Sequence, residues 1–279
     1  KKYNQNLTIC EFGLFARFDA VNILKKNLAN IVTSCGLDHL DWLPKNEQTI
    51  EKIIFEKTSS LLNSNIIVAK QSSEKINKFI KKNLHHNPAK KIFFNEDYSY
   101  LINENGSLYY QDQYGDLTLP MPNVIGEFQL ENISTAISTL RILEQLKIND
   151  NHIKLGITKI KSIARLQEIK EGKLKQLCKN NKIFCDGSHN PDGARAINNF
   201  LENLQCKKHI ILGMMSNKDH KNYISHFKNI SSLTTVDIPN QPNAIRGEDL
   251  KIKLSNYPNI KYKTSIYEAV KGIKLSEKD

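Results

Sequence analysis

The densest run of chemistry-bearing residues in this chain is Cys185-Asp186-Gly187-Ser188-His189-Asn190-Pro191. The apolar stretch 182–185 reads as a buried strand delivering Asp186, Gly187 permits a tight turn, and Pro191 stands where a helix begins. Backbone N–H groups at a helix start favour anions, so Asp186 and His189 are placed for ribose or phosphate oxygens. A second run, Glu11 to Asn22 (EFGLFARFDAVN), follows Leu7-Thr8-Ile9-Cys10, which reads as another buried strand. A carboxylate directly after a strand, then a glycine turn and an Arg17-x-Asp19 pair, occupies the place where open parallel sheets put ligand groups. The plain alternative is a strand-to-helix turn with surface charges. After an apolar Ile31-Val32-Thr33, the stretch Ser34 to Leu43 brings Asp38 and His39 to the same expected sheet edge as Glu11. Glutamate and histidine side by side there make a divalent-metal site, with the imidazole oriented by a further acceptor. Glu56-Lys57 falls on an amphipathic helix, where an exposed ion pair is the simpler account.

Strand-length apolar runs alternate with helix-length segments around these residues, which is the pattern of an α/β protein with a mostly parallel sheet. In the first half, strands are expected at 7–10, 31–34 and 65–69, and helices near 49–63 and 73–84. From Lys91 to Pro122 the pattern changes to alternating stretches at 99–102, 107–110 and 116–119, broken by Asn105-Gly106 and Tyr114-Gly115. That spacing favours an antiparallel meander. A helix follows, with Ile133, Ala136, Ile137, Leu140, Ile142 and Leu143 as its apolar face. A second helix starts near His152. Beyond Lys161 the alternation restarts, with strands at 182–185, 209–212, 233–237 and 260–262. Two domains are therefore expected, 1–160 and 161–279, the second smaller and doubly wound.

The 279 residues are 39% hydrophobic and 25% charged, enough apolar material for two packed cores. No apolar run reaches the roughly 18 residues that span a bilayer, and no signal pattern opens the sequence, so a cytoplasmic address without membrane association is expected. The net charge of +11 is spread among Asn and Ile along the whole chain. It forms no basic block, so a diffuse attraction for anionic ligands is expected and nucleic acid is not. The five cysteines (Cys10, Cys35, Cys178, Cys185, Cys206) are widely spaced, odd in number and without a CxxC pair. They read as reduced thiols, mostly small buried apolar residues.

Taken in order, five motifs resemble those of the folylpolyglutamate synthase/dihydrofolate synthase family, within the Mur ligase superfamily. They are Glu11-x-Gly13-Leu14 with Arg17-x-Asp19-Ala20-x-Asn22, Leu37-Asp38-His39, Glu56-Lys57, Gly126-x-x-Gln129-x-x-Asn132, and Arg165 followed by Asp186 to Pro191. The resemblance spans about Leu7 to Ile273. It implies a Mur-ligase-like central α/β domain followed by a smaller Rossmann-like C-terminal domain.

The activity it implies is ATP-dependent ligation of L-glutamate to folate, with dihydropteroate as an alternative acceptor, through an acyl phosphate. By position, Glu11 and His39 correspond to magnesium ligands, and Lys57 to the lysine that the family carbamylates to help position metal. Phe18, Asp19 and Ala20 fall where the pterin-bearing substrate is held. Asn132, Arg165, Asp186 and His189 correspond to nucleotide contacts.

The sequence departs from the family pattern in several places. The Gly-Gly after Gly-Leu is Phe15-Ala16, the histidine of the Gly-x-His-Gln motif is Phe128, the Pro-Gly or similar pair before Arg165 is Ile163-Ala164, the stretch from Arg165 to Asp186 is long, and no Gly-rich Gly-Lys-Ser/Thr loop occurs in the chain. That loop supplies the N–H cradle and lysine for the β- and γ-phosphates. The expectation is therefore a chain truncated at its N-terminus, with a separate polypeptide as one source of the loop. The alternative is a catalytically inactive remnant or subunit that binds nucleotide or folate without turnover. A peptidoglycan-precursor ligase of the same superfamily fits less well, because Leu37-Asp38-His39-Leu40-Asp41-Trp42 resembles the folate branch.

Overall fold

The computed structural model describes residues 7–257 and 259–276. Two compact units emerge, one from residues up to 122 together with 130–159, the other from 123–129 together with 160 onward.

The first unit is built on three parallel strands, β1 (Asn30–Val32), β2 (Ile66–Val68) and β3 (Lys91–Phe93), in that spatial order. Two helices provide the connections. α1 (Ile50–Thr58) starts where Thr49 accepts from the Lys52 N–H at 3.2 Å. α2 (Glu74–Leu84) is capped by Ser73 and carries Ile76, Ile80 and Leu84 four residues apart on one buried stripe. That stripe meets Val32, Ile54, Ile66, Val68 and Phe93 in the main core of the unit.

The expected meander is present as β4 (Tyr98–Ile102), β5 (Leu108–Asp112) and β6 (Gly115–Leu119), paired antiparallel in sequence order. The helix after it, α3 (Glu127–Ile142), buries Ile133 and Ile137 as expected, but it leaves Ala136 exposed and buries Ser134, Thr135, Ser138 and Thr139 instead. Helical hydroxyls can go inside because Ser134 and Thr135 donate to the Glu131 carbonyl and Thr139 to that of Thr135. Tyr98 adds a cross-link: its hydroxyl donates to the Val68 carbonyl and lies 3.0 Å from Thr135 Oγ1. α4 (Asp150–Thr158) closes the unit behind an Asn149 capping box.

In the second unit β7 (Gln167–Glu168), α5 (Lys173–Cys178), β8 (Phe184–Cys185) and α6 (Pro191–Glu202) precede the sheet proper. That sheet has three parallel strands, β9 (His209–Leu212), β10 (Ser232–Val236) and β11 (Ile260–Lys263), with β10 in the centre. The helices α7 (His220–Ser225), α8 (Gly247–Lys253) and α9 (Ile266–Lys271) alternate with them. Leu212, Met214, Ile224, Leu233 and Leu250 make the core. The architecture is mixed α/β throughout, with a parallel sheet in each unit. Among the described residues no helix is long and apolar enough to cross a membrane.

Four expectations need correction. Residues 7–10 are not a buried strand: all four are exposed, Ile9 by 87%, because the segment has neither a ladder partner nor a covering layer among the described residues. The strand before Asp186 is only two residues long, and Cys185 on it is exposed. It pairs antiparallel with β7 and does not join the parallel sheet. Three of the five cysteines, Cys10, Cys185 and Cys206, are exposed and only Cys35 and Cys178 are buried. Glu56 is not part of an exposed pair with Lys57, since it is 2% exposed and faces a different partner, described next.

Candidate functional site

The segment Glu11 to Asn22 has little regular structure beyond two short 3-10 turns, Ala16–Phe18 and Ala20–Ile23, and Asp19 organises it. One carboxylate oxygen accepts from the Val21 N–H at 2.9 Å and the other from the Gly13 N–H at 2.8 Å. The Val21 bond, with those of Gly13 and Leu14, outweighs burial and holds the Asp19 carboxyl below the usual carboxylate range. Phe15 and Ala16, which replace the family's two glycines, turn inward: Phe15 packs with Leu43 and Ile53. The added bulk therefore fills core. On the other side of Asp19's turn, Phe18 projects outward and is 79% exposed.

Arg17 ties this segment to α1. Its Nε and Nη2 donate to the two oxygens of Glu56 at 2.7 and 2.8 Å, a two-pronged pair, and Lys52 Nζ stands 3.4 Å from the same carboxylate. Burial pushes Glu56 up, but the Arg17 fork together with Lys52 outweighs it and holds the carboxyl below its ordinary range. Glu56 raises the Arg17 guanidinium in return. The fork thus brings Phe18, Asp19 and Ala20 next to the helix that carries Lys57. Lys57 is half-buried and close enough to Cys35 to oppose the upward push that burial exerts on that thiol.

His39 adopts a left-handed conformation (φ 59°) just before the 3-10 turn Leu40–Trp42, and its N–H donates to Asp38 Oδ1 at 2.8 Å. Its ring meets Phe15 edge-on at 6.1 Å. His39 therefore joins the Glu11–Asn22 segment through Phe15. Glu11 is exposed at the start of that segment. Among the described residues no group of three His, Cys, Asp or Glu side chains gathers as a ready-made metal cage. Glu11 is an oxygen donor of the kind magnesium takes together with waters and phosphate oxygens, whereas the imidazole of His39 is an unusual ligand for so hard a cation. Asn132 is exposed on α3 in the first unit.

In the second unit, Arg165, Asp186 and His189 form one assembly. Asp186 Oδ2 accepts from the Leu166 N–H and Oδ1 from the Ser188 N–H, both at 2.7 Å. The Gly187 N–H donates to the Ala164 carbonyl at 2.9 Å. Ala164 and Leu166 are both left-handed (φ 52° and 47°), a conformation that costs a non-glycine residue about 1–2 kcal/mol. The Asp186 carboxylate holds Leu166, while Ala164 donates its N–H to Gln167 Oε1 at 3.0 Å and its carbonyl also accepts from Arg165 Nη1 at 3.1 Å. A Cβ on Gly187 would lie 3.0 Å from Arg165 Nη1, so the guanidinium rests over this turn. His189 Nδ1 is 3.2 Å from the Gly187 carbonyl, and Asn190 caps α6 by accepting from the Gly193 N–H at 2.9 Å. Gly193 has no freedom to be larger, because a Cβ there would fall 2.5 Å from that of Ser188. The result is an arginine folded over the turn that leads into a twelve-residue helix, whose first residues are Pro191, without an N–H, and Asp192, and whose Gly193 N–H is taken by the Asn190 cap.

Gly126 lies against the Leu166 side chain of this assembly, a Cβ there falling 3.1 Å from Leu166 Cδ1. Gly126 (φ 100°) would drive a Cβ into the Phe128 ring, and Gln129 Nε2 donates to Ser162 Oγ at 2.9 Å. Sequence reasoning placed Arg17 only as half of an Arg-x-Asp pair at an expected ligand edge and gave Glu56 and the Leu166 amide no site role. The first two lay inside quoted motifs, whereas nothing in the local sequence marks an amide 20 residues from its acceptor.

The profile described as "Mur ligase, glutamate ligase domain" matches residues 165–279. A dihydrofolate synthase/folylpolyglutamate synthase of Haemophilus influenzae is 24% identical over 275 residues, covering 93% of this chain and 60% of the relative. The Escherichia coli protein of the same description is 24% identical over 233 residues, covering 82% and 50%. Among solved structures, E. coli FolC in complex with DHPP and ADP superposes with a TM-score of 0.76 at 24% identity, covering 92% of this chain and 57% of that one. A Mycobacterium tuberculosis folylpolyglutamate synthase complexed with ADP and AMPPCP gives 0.75 at 19% identity, covering 93% and 59%. The chain spans about half to three-fifths of the length of these relatives.

Proposed function

From a chain that belongs to the folylpolyglutamate synthase/dihydrofolate synthase family, we propose the central and C-terminal portions of an ATP-dependent ligase that joins L-glutamate to a folate. In this reading the γ-phosphoryl group of ATP passes to a folate carboxylate. The amine of glutamate then attacks the acyl phosphate, forming the amide and releasing phosphate. The central difficulty is bringing an anionic carboxylate to a polyanionic triphosphate, and cations fixed in place relieve it. The observation that carries the reading is the Arg165–Asp186–Gly187 assembly, in which Asp186 ties the turn after β8 to Leu166 and the Arg165 guanidinium lies over Gly187, inside the matched glutamate ligase region.

Arg165 would bind phosphate oxygens. Asp186 would accept from a ribose hydroxyl with its remaining lone pairs, with His189 beside it, and the family motif makes Asn132 a further candidate nucleotide contact. Phe18, Asp19 and Ala20 would hold the pterin-bearing substrate. Magnesium, held by Glu11 and His39 and positioned with the help of a carbamylated Lys57, would supply charge neutralisation on the triphosphate. The domains involved are taken as 1–160 and 161–279.

Phe15-Ala16, standing where the family pattern has two glycines, favours a second reading, in which the chain binds nucleotide or folate without turning over. One experiment addresses both. Thermal unfolding is followed with magnesium-ATP and with a folate added separately, since a ligand at 100 times its Kd stabilises by about 2.7 kcal/mol. Stabilisation by both ligands is expected. Glutamate-dependent ATP hydrolysis is expected to be absent from the chain alone and to appear when a polypeptide bearing the family's loop is supplied. Stabilisation without any turnover in that mixture selects the binding-only reading, and no response to either ligand refutes both.

A further inference from the structure

Arg17 stands between two rings. Its guanidinium carbon lies 4.3 Å from the Phe18 ring centroid and 5.5 Å from that of Phe55. Its fork on Glu56 leaves it little freedom, because Glu56 is 2% exposed and is also approached by Lys52, which in turn reaches Glu47 at 2.7 Å. The outer face of this stack is Phe18, a large aromatic ring presented to solvent on a loop. An exposed phenylalanine on a loop ordinarily samples several rotamers. Here a planar cation, anchored by a buried carboxylate, lies against one face of it.

We infer that Arg17 and Glu56 are positioning residues that hold the Phe18 ring as a fixed stacking platform for a flat heteroaromatic ring, the pterin of the substrate. The inference rests on the folate reading above and adds residues to it. Glu56 fixes the guanidinium, the guanidinium fixes Phe18, and neither Arg17 nor Glu56 needs to touch the substrate. A purely structural ion pair would use the same bonds, so the two roles separate only in what their loss does to ligands with and without the ring.

The test is calorimetric titration of the full chain and of Glu56→Gln and Arg17→Lys with two probes. One is pteroic acid and the other is p-aminobenzoylglutamate, which lacks the pterin. Arg17→Lys keeps the charge but loses the two-pronged geometry and the flat stacking face, and it serves where Glu56→Gln does not fold. The expected result is that pteroic acid binds the wild-type chain more tightly than p-aminobenzoylglutamate. Each folded variant should weaken pteroic acid about tenfold and leave the other probe unchanged. Variants that bind pteroic acid as the wild type does, or that weaken both probes alike, overturn the positioning role while leaving the ligase reading standing. A wild-type chain that binds pteroic acid no better than p-aminobenzoylglutamate removes the platform itself. A wild-type chain that binds neither probe overturns this inference and the folate reading together.

Discussion

Replacing Asp186 by alanine tests whether the candidate nucleotide-binding turn is held by that one carboxylate. The two oxygens accept from Leu166 and Ser188 N–H groups at 2.7 Å each. Leu166 is 2% exposed, so its amide cannot simply turn to water once the acceptor is gone. Hydrogen bonds to a charged partner contribute about 1.5–3 kcal/mol each, and the partial exposure of Asp186 and Ser188 reduces the sum. The left-handed backbone at Ala164 and Leu166 relaxes on release and returns part of the loss. A net destabilisation of about 2–4 kcal/mol is expected for Asp186→Ala. Asp186→Asn should cost about half as much, because one amide oxygen can serve one N–H while the NH₂ group opposes the other. For a unit of roughly 130 residues, this corresponds to a fall in melting temperature on the order of 10 °C. Calorimetry on the two-unit chain resolves which transition moves, and urea titration gives the free energy. A shift below about 0.5 kcal/mol for Asp186→Ala, or an equal shift in both units, refutes the role assigned to the carboxylate.

Three further outcomes follow from the geometry. Gly247→Ala places a Cβ 2.7 Å from the Val236 backbone and 2.8 Å from the Tyr262 ring. Because backbone cannot yield as a side chain does, it should cost about 1–3 kcal/mol or more by urea denaturation, whereas alanine at Gly106, which faces open space, should cost only what its positive φ demands. Tyr98→Phe removes a buried hydroxyl, yet Val68 O keeps its bond from the Phe94 N–H and Thr135 still donates to Glu131 O. With no donor orphaned, the loss should stay near 1 kcal/mol, and a loss above about 3 kcal/mol contradicts that. Asp237 is held below the usual carboxylate range, chiefly by the Tyr262 hydroxyl and then by the Gly247 N–H. Its contribution is therefore full above the unfolded value near about 3.9 and disappears as pH falls through the lower folded value. The stability gap between wild type and Asp237→Asn, measured by denaturation at descending pH, should close in that window, and a gap that stays constant into strong acid contradicts the assignment.

Much of the frame was legible in the residues themselves. The four-residue spacing of Ile76, Ile80 and Leu84, the turn pairs Asn105-Gly106 and Tyr114-Gly115, and the apolar run His209–Leu212 each fix a local periodicity, and α2, the meander and β9 follow directly. The grouping of site residues into family motifs was legible in the same way, because each motif is a short contiguous run. What the sequence by itself did not determine was where these runs find partners. Leu7–Cys10 has the composition of a strand and is exposed, and Glu56 has the look of a surface charge and is buried under Arg17, 39 residues away. Asp186 spends its carboxylate on an amide 20 residues upstream. Periodicity records which face of an element is apolar. Burial, ion pairing and ladder pairing depend on what another part of the chain brings alongside, and only the tertiary structure decides that.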